Sequence, residues 1–296
     1  MTAAENLNWN EMWQESMRHE EFGGSDFWDK FAPHFRKKNP GEKDEYVEGF
    51  LRCTGLREGE TVFDMGCGAG TLAIPIALQG HQVYAADFSR GMLKQLMLEA
   101  ADSGVDHLIH PIHLSWDEDW DDKDLPLCDV AISSRSLFCK DLTSSLLKLE
   151  SVSSRRSCIS LFDTPTSGYD RYAARAIGYE RTGIGPFAIV LNELLALDRF
   201  PQLMFFSNHF RLPKYHSYEE GYNNLRASFV HPLSGEQEQK LRDYYDEHIV
   251  HHVDAVAGLR SPRGDAAGSS EFWQLDHNDE IFTSFIRWDR ETAYTK

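Results

Sequence analysis

Two acids and three glycines are the groups in this chain best suited to gripping a small charged molecule. Asp64 lies just before the turn Gly66-Cys67-Gly68-Ala69-Gly70, and Asp87 follows at a second point downstream. Glycines at alternate positions let a backbone bend tightly and approach a ligand without Cβ clashes. In a dinucleotide-binding turn the third glycine stands one residue further along, and the helix beyond it faces a pyrophosphate. The spacing here is tighter, and Asp64 would repel a pyrophosphate while suiting a cationic amine. Asp87 falls near the offset of about 20 residues at which an acid reaches ribose hydroxyls, and it favours a free ribose over a phosphorylated one.

These groups need a scaffold, and the flanking residues supply one. Val62, Phe63 and Met65 read as a buried parallel strand, and Leu72, Ile74, Ile76, Ala77 and Leu78 as the helix after the turn, with Pro75 near its start where a missing N–H costs least. Gln82 to Ala86 form a second strand ending at Asp87. A helix over 43–54, stopped by Gly55, precedes the first strand, and Met92 to Ala101 form the helix after the second. A short third strand is expected from Leu108 to Leu114, a fourth over Cys128–Ile132, a fifth over Ser157–Phe162 and a last over Glu280–Trp288. Phe187 to Leu197 read as a buried helix and Gln202 to Phe210 as a strand. Residues 258–271 read as a loop.

Phe63-Asp64-Met65-Gly66-Cys67-Gly68-Ala69-Gly70-Thr71, with Ala86-Asp87-Phe88-Ser89-Arg90-Gly91-Met92-Leu93, resembles the class I S-adenosylmethionine-dependent methyltransferases, and within them the quinone-biosynthesis and general small-molecule branch. The resemblance covers residues 45–165. It implies a Rossmann-like α/β fold, with a mostly parallel seven-stranded sheet and helices on both faces. The expected organisation is an N-terminal helical lid over 1–42 and an S-adenosylmethionine-binding methyltransferase domain over 43–296, with C-terminal helical additions and a helical insertion at about 216–280. The resemblance also implies S-adenosylmethionine as cofactor. Asp64 and the Gly66–Gly70 turn would hold its amino-acid moiety, Asp87 its ribose, and Trp116 with Asp117 its adenine. Cys67, Gly68, Thr71, Phe88, Met92 and Ser133 complete the expected cofactor-binding set. An acidic solvated loop is the rival reading of 115–120. The tip Ser133-Ser134-Arg135-Ser136 should border the transferred methyl group, or serve simply as a hydrogen-bonded loop start. It lacks the Asn- or Asp-Pro-Pro-aromatic motif of exocyclic-amine methylating enzymes and the Pro-Cys of cytosine-C5 enzymes. The expected reaction is methyl transfer to a small-molecule acceptor. The alternatives are a nucleic-acid or protein methyltransferase, or a non-catalytic regulator that binds the cofactor. No catalytic residue and no oligomeric state follow from the sequence.

Composition narrows the partners. The net charge of −17 disfavours a polyanionic substrate, because nucleic-acid binding depends on lysine and arginine. Arg36-Lys37-Lys38 and Arg155-Arg156 read as solvated surface. No apolar run of about 18 residues and no basic, apolar leader is present, so a cytoplasmic protein without a membrane span is expected. The five cysteines have no metal-type spacing and read as reduced thiols.

Trp9, Trp13, Phe22, Phe27, Trp28, Phe31 and Phe35 crowd the N-terminal region. Ser25 to Ala32 read as a short helix ended by Pro33, with Phe27 and Phe31 on one face. A cleft-closing lid and ordinary core packing both explain these rings. Tyr218, Tyr222, Leu225 and Phe229 fit one later helix, and Leu241, Tyr244, Tyr245, His248 and Ile249 another, either as core or as an acceptor pocket. His248, His251 and His252 would share that helix, with Asp254 near, but no further ligand is evident and no metal is expected. His34, His113 and His209 read as structural.

Overall fold

The computed structural model describes residues 7–17, 24–34, 44–162, 171–179, 184–209, 213–229, 232–254, 270–277 and 280–290 of the 296. The chain divides into two compact units, one drawn from 1–163, 184–207 and 282–296, the other from 164–183 and 208–281. Phe22, Phe35, Arg36-Lys37-Lys38 and most of the 258–271 segment lie outside the described residues, as do the side chains of His34, His209 and Asp254.

The elements run α1 (Trp9–Met17), α2 (Ser25–Phe31), α3 (Glu45–Thr54), β1 (Val62–Met65), α4 (Ala73–Leu78), β2 (Val83–Asp87), α5 (Arg90–Asp102), β3 (Ile109–His113), β4 (Cys128–Ser134), α6 (Leu142–Ser151) and β5 (Ser153–Phe162). Then follow α7 (Arg171–Ala176), α8 (Pro186–Ala196), β6 (Gln202–His209), α9 (Tyr218–Ala227), α10 (Gly235–His248), β7 (Ile249–Asp254), β8 (Ser270–Leu275) and β9 (Glu280–Asp289). Seven strands form one sheet in the order β3-β2-β1-β4-β5-β9-β6. The first five are parallel, and β9 runs antiparallel to β5. Chain order reverses between β1 and β4, and in such sheets the ligand crevice lies beyond the strand ends at that point.

Both faces of the sheet are covered, which is why β1 is apolar at nearly every position and wholly buried. Phe63 and Met65 join one core with Trp13, Trp116, Trp120 and Leu146, while Val62 joins another with Phe50, Ile76, Leu96 and Phe285. Local signals set the helix ends. Asp44, Ser89 and Asp141 accept the backbone N–H of Tyr46, Met92 and Ser144 at the starts of α3, α5 and α6, and Gly55 ends α3 in the left-handed region.

Three expectations change. β5 begins at Ser153 rather than Ser157, and Arg155 and Arg156 are not solvated: Arg155 pairs with Glu60 and Arg156 with Asp289, which neutralises two arginines on a sheet strand. The third strand is shorter than read, Ile109–His113. The insertion is not all helical, because β7 and β8 follow α10 as a two-stranded antiparallel sheet. His251 and His252 therefore stand on β7, stacked on Trp273 and Phe272, and share no helix with His248. Trp13 is fully buried, with Nε1 donating to Cys139 O, so of the two readings open for the N-terminal aromatics this ring takes core packing. All five cysteines are free and buried. Among the described residues no helix is long and apolar enough to cross a membrane.

Candidate functional site

The turn after β1 is fixed by hydrogen bonds and by what glycine lacks. Gly66 N and Cys67 N both donate to Ala86 O, at 2.7 and 3.0 Å, tying the turn to the end of β2. Gly66 has a φ of 74°, and a Cβ there would fall 2.3 Å from Ser136 Cβ, so the tip of β4 can close against the turn only over a glycine. Gly70 is a packing position: a Cβ there would meet Leu96 Cδ1 at 2.5 Å.

Asp87 locks this geometry. Its Oδ2 accepts from Gly68 N at 2.9 Å and its Oδ1 from Ser89 N at 2.8 Å, so one carboxylate joins the turn to the N-terminus of α5. Burial raises its pKa, partly offset by those two N–H groups. Asp64 is different. It is 1 % exposed, and its Oδ2 has no hydrogen-bond partner among the described residues. Burial, reinforced by the charge of Asp87, lifts its carboxyl to about 7. A buried carboxylate oxygen with no donor is costly unless a ligand supplies one, and a ligand ammonium meets that need.

Both acids face a cavity of about 890 Å³. Of the expected set, Asp64, Gly66, Cys67, Gly68, Thr71, Asp87, Phe88, Met92, Trp116 and Asp117 line it. Gly70 and Ser133 do not: Gly70 packs on α5, and Ser133 is fully buried with its Oγ on Ser136 Oγ at 2.9 Å. The neighbouring Ser134, Arg135 and Ser136 line the cavity instead. Trp116 is less free than a stacking platform would be, since it stacks on Trp120 at 5.5 Å and its Nε1 donates to Ser136 O at 2.8 Å. Asp117 pairs with Lys140 at 3.3 Å. Cys67 is no nucleophile, because burial pushes its thiol well up.

Several walls of the cavity lie outside the expected cofactor-binding set. Gln14 and Met17 of α1, Ser25 and Trp28 of α2, and Phe138 and Lys140 after β4 also line the cavity. The N-terminal aromatics were the available signal for Trp28. Arg135 belongs to the tip expected to border the methyl group, and it does line the cavity; its left-handed backbone, φ 53°, has no sequence signal because it arises from tertiary bonds. Arg135 N donates to Ser160 O at 2.9 Å, Ser134 Oγ is held by Tyr46 Oη, and Ser136 Oγ donates to Met65 O at 2.9 Å. The guanidinium lies 3.8 Å over the Tyr46 ring.

α2 is bound tightly to this site. Asp29 Oδ1 accepts from Ser89 Oγ at 2.6 Å and from Gly91 N at 2.8 Å, at the N-terminus of α5 where an anion is favoured. These hydrogen bonds hold the Asp29 carboxyl below its usual range.

A methyltransferase-domain family model matches residues 62–147, the span holding the turn, both acids and the tip of β4. An uncharacterized protein of Haemophilus influenzae is 32% identical over 219 residues, covering 74% of this chain and 80% of that protein. Among solved structures, the YcgJ protein of Bacillus subtilis is similar at a TM-score of 0.49 and 11% identity, over 84% of this chain and 100% of that one. Magnesium protoporphyrin IX methyltransferase of Synechocystis is similar at 0.46 and 19%, over 67% and 94%. Its sheet order, its glycine turn and the match across residues 62–147 give the chain a methyltransferase domain of the class I, S-adenosylmethionine-dependent kind, and it is an enzyme that uses S-adenosylmethionine.

Proposed function

We propose that the enzyme methylates a small molecule bound in the cavity between the glycine turn and the tip of β4. The observation that carries it is a buried Asp64 Oδ2 with no partner among the described residues, beside a cavity that extends past it to Ser134, Arg135, Ser136 and Phe138. Asp64 accepts the cofactor's ammonium group. Asp87, with one lone pair left on each oxygen, accepts from ribose, and Gly66 to Thr71 cradle the amino-acid portion. Trp116, Met92 and Phe88 enclose the base, with Asp117 at its edge. S-Adenosylmethionine supplies an electrophilic sulfonium methyl, which the acceptor takes by direct in-line attack, leaving S-adenosylhomocysteine.

What the chain contributes is chiefly placement. Holding acceptor and methyl in line in a site shielded from water needs no covalent enzyme intermediate. Among the described residues, no histidine lines the cavity, which suits an acceptor that is already nucleophilic or carries its own acidic proton. Residues of α1 and α2 form the remaining wall, and α2 serves as the lid, latched through Asp29. The cavity volume falls within the range of about 300–1,000 Å³ usual for small-molecule sites. A net charge of −17 disfavours a nucleic-acid substrate. Five buried, unpaired thiols suit the cytoplasm.

The test compares thermal stabilisation by S-adenosylhomocysteine, S-adenosylmethionine, NAD and NADP, then follows label transfer from S-adenosylmethionine into a metabolite extract. Stabilisation by the first two with labelled small molecules is expected. Binding without transfer to any metabolite would move the protein to the regulator or macromolecular class.

A further inference from the structure

A group of metal-ligating side chains lies in the second unit, where α10 meets the end of β8. His248 closes α10, and Asp276 and His277 directly follow β8. Ile249 pairs with Leu275, and Asp276 N donates to His248 O at 2.9 Å, so the ladder fixes the backbones that carry all three side chains. Both imidazoles turn Nδ1 toward one carboxylate: His277 Nδ1 is 2.7 Å and His248 Nδ1 3.1 Å from Asp276 Oδ1. One ligand atom from each residue lies within 4.8 Å of the other two. With bonds of about 2.0–2.1 Å, a tetrahedral zinc ion sets its ligand atoms about 3.3 Å apart, a spacing that small side-chain rotations supply here.

Beyond the three ligands stands an orienting group. Tyr244, one turn before His248 on α10, places its Oη 2.7 Å from His277 Nε2, the ring nitrogen facing away from Asp276. Metal-bound histidines characteristically engage their second ring nitrogen in this manner, which fixes the tautomer and the ring plane. The side chains of His248, Asp276 and His277 are 30%, 44% and 23% exposed, leaving a path for an ion.

We propose that His248, Asp276 and His277 bind a divalent transition ion of the zinc class, with Tyr244 orienting His277. Two imidazoles and one carboxylate select zinc over magnesium or calcium, which take oxygen ligands. Three protein ligands leave a fourth position for water. The ion ties the C-terminal end of α10 to the end of β8. His251, stacked on Trp273, and His252, stacked on Phe272, take no part.

The full chain, stripped with a chelator, is titrated with Zn²⁺ by calorimetry, and the Co²⁺-loaded form is recorded by visible absorption. One equivalent of Zn²⁺ and tetrahedral-type Co²⁺ bands are expected. His248→Ala and His277→Ala should abolish both, Tyr244→Phe should weaken Zn²⁺ about tenfold or more, and His251→Ala should bind as the unaltered chain does. Circular dichroism checks folding, and Asp276→Asn replaces any histidine variant that fails to fold. No saturable Zn²⁺ binding, or binding that survives the substitutions at His248 and His277, overturns the site. Neither result depends on methyl transfer.

Discussion

Asp87 engages both carboxylate oxygens with backbone N–H groups, whereas Asp64, near enough to feel its charge, has no partner for Oδ2 among the described residues in the same cavity wall. The two acids therefore do different work. Asp87 is satisfied within the turn itself, and under the proposed function Asp64 receives the cofactor's cation. Asp64→Asn should weaken S-adenosylhomocysteine binding by about 1.5–3 kcal/mol, the value of a hydrogen bond to a charged group, while leaving the ligand-free chain as stable or more so. Calorimetric affinity and a thermal melt check both halves. Asp87→Asn should instead lower stability as well, because its new amide nitrogen cannot accept from Gly68 or Ser89.

The pH dependence follows from the same carboxyl. Asp64 titrates at about 7 in the folded chain, against about 3.9 for an unfolded aspartate. Between those values the folded state holds the extra proton, so this group's contribution to stability is present at low pH and is lost as pH rises through about 7. Asp87, also raised by burial, acts in the same direction. Binding of an ammonium needs Asp64 ionised, so affinity should fall as pH drops below about 7, approaching about tenfold per unit. Titrations of S-adenosylhomocysteine at several pH values should show this slope in the unaltered chain and lose it in Asp64→Asn.

As a lid, α2 should open faster when its latch is cut. Asp29 ties α2 to Ser89 and Gly91, and a Cβ on Gly91 would lie 2.8 Å from Asp29 Cα. Asp29→Ala and Gly91→Ala should both speed S-adenosylhomocysteine dissociation several-fold in stopped-flow measurements, the second without touching the Ser89 cap. Unchanged dissociation in both variants would make α2 a static wall.

α1 should behave otherwise. Trp13 is fully buried and its Nε1 bonds to Cys139 O, so Trp13→Ala should cost about 3–5 kcal/mol, the usual loss for a buried aromatic. Denaturant unfolding measures this directly. A loss below about 1 kcal/mol would return α1 to the role of a detachable lid.

What could be read from sequence was what the backbone demands locally. Gly66 must be glycine because its φ and the nearness of Ser136 exclude a side chain, and Asp64 betrays itself as a charge in an apolar strand. The Gly55 stop of α3 is likewise short-range. Features set by distant partners stayed hidden. Arg155 and Arg156 look like surface until Glu60 and Asp289 are placed beside them. Ser133 and Ser134 are adjacent and alike, and only the side-to-side alternation of β4 sends the first into the core and the second to the cavity. His251 and His252 continue a helical spacing from His248, yet pairing with β8 makes them strand.

Arg135 offers the sharpest separation of stability from function. A non-glycine residue at φ 53° stores about 1 kcal/mol or more of strain, and such residues persist where surrounding bonds over-determine them. Arg135→Gly removes the strain and the guanidinium over Tyr46 together. The chain should melt at the same temperature or higher, because glycine suits the left-handed region and offsets its own entropic cost. Affinity for S-adenosylhomocysteine should hold within about twofold, since the proposed function gives that contact to Asp64 and Asp87. Methyl transfer should fall at least tenfold in kcat/KM, because Arg135 lines the part of the cavity assigned to the acceptor. A variant that keeps full activity would show that strain at this position serves only the packing of the β4 tip against the glycine turn.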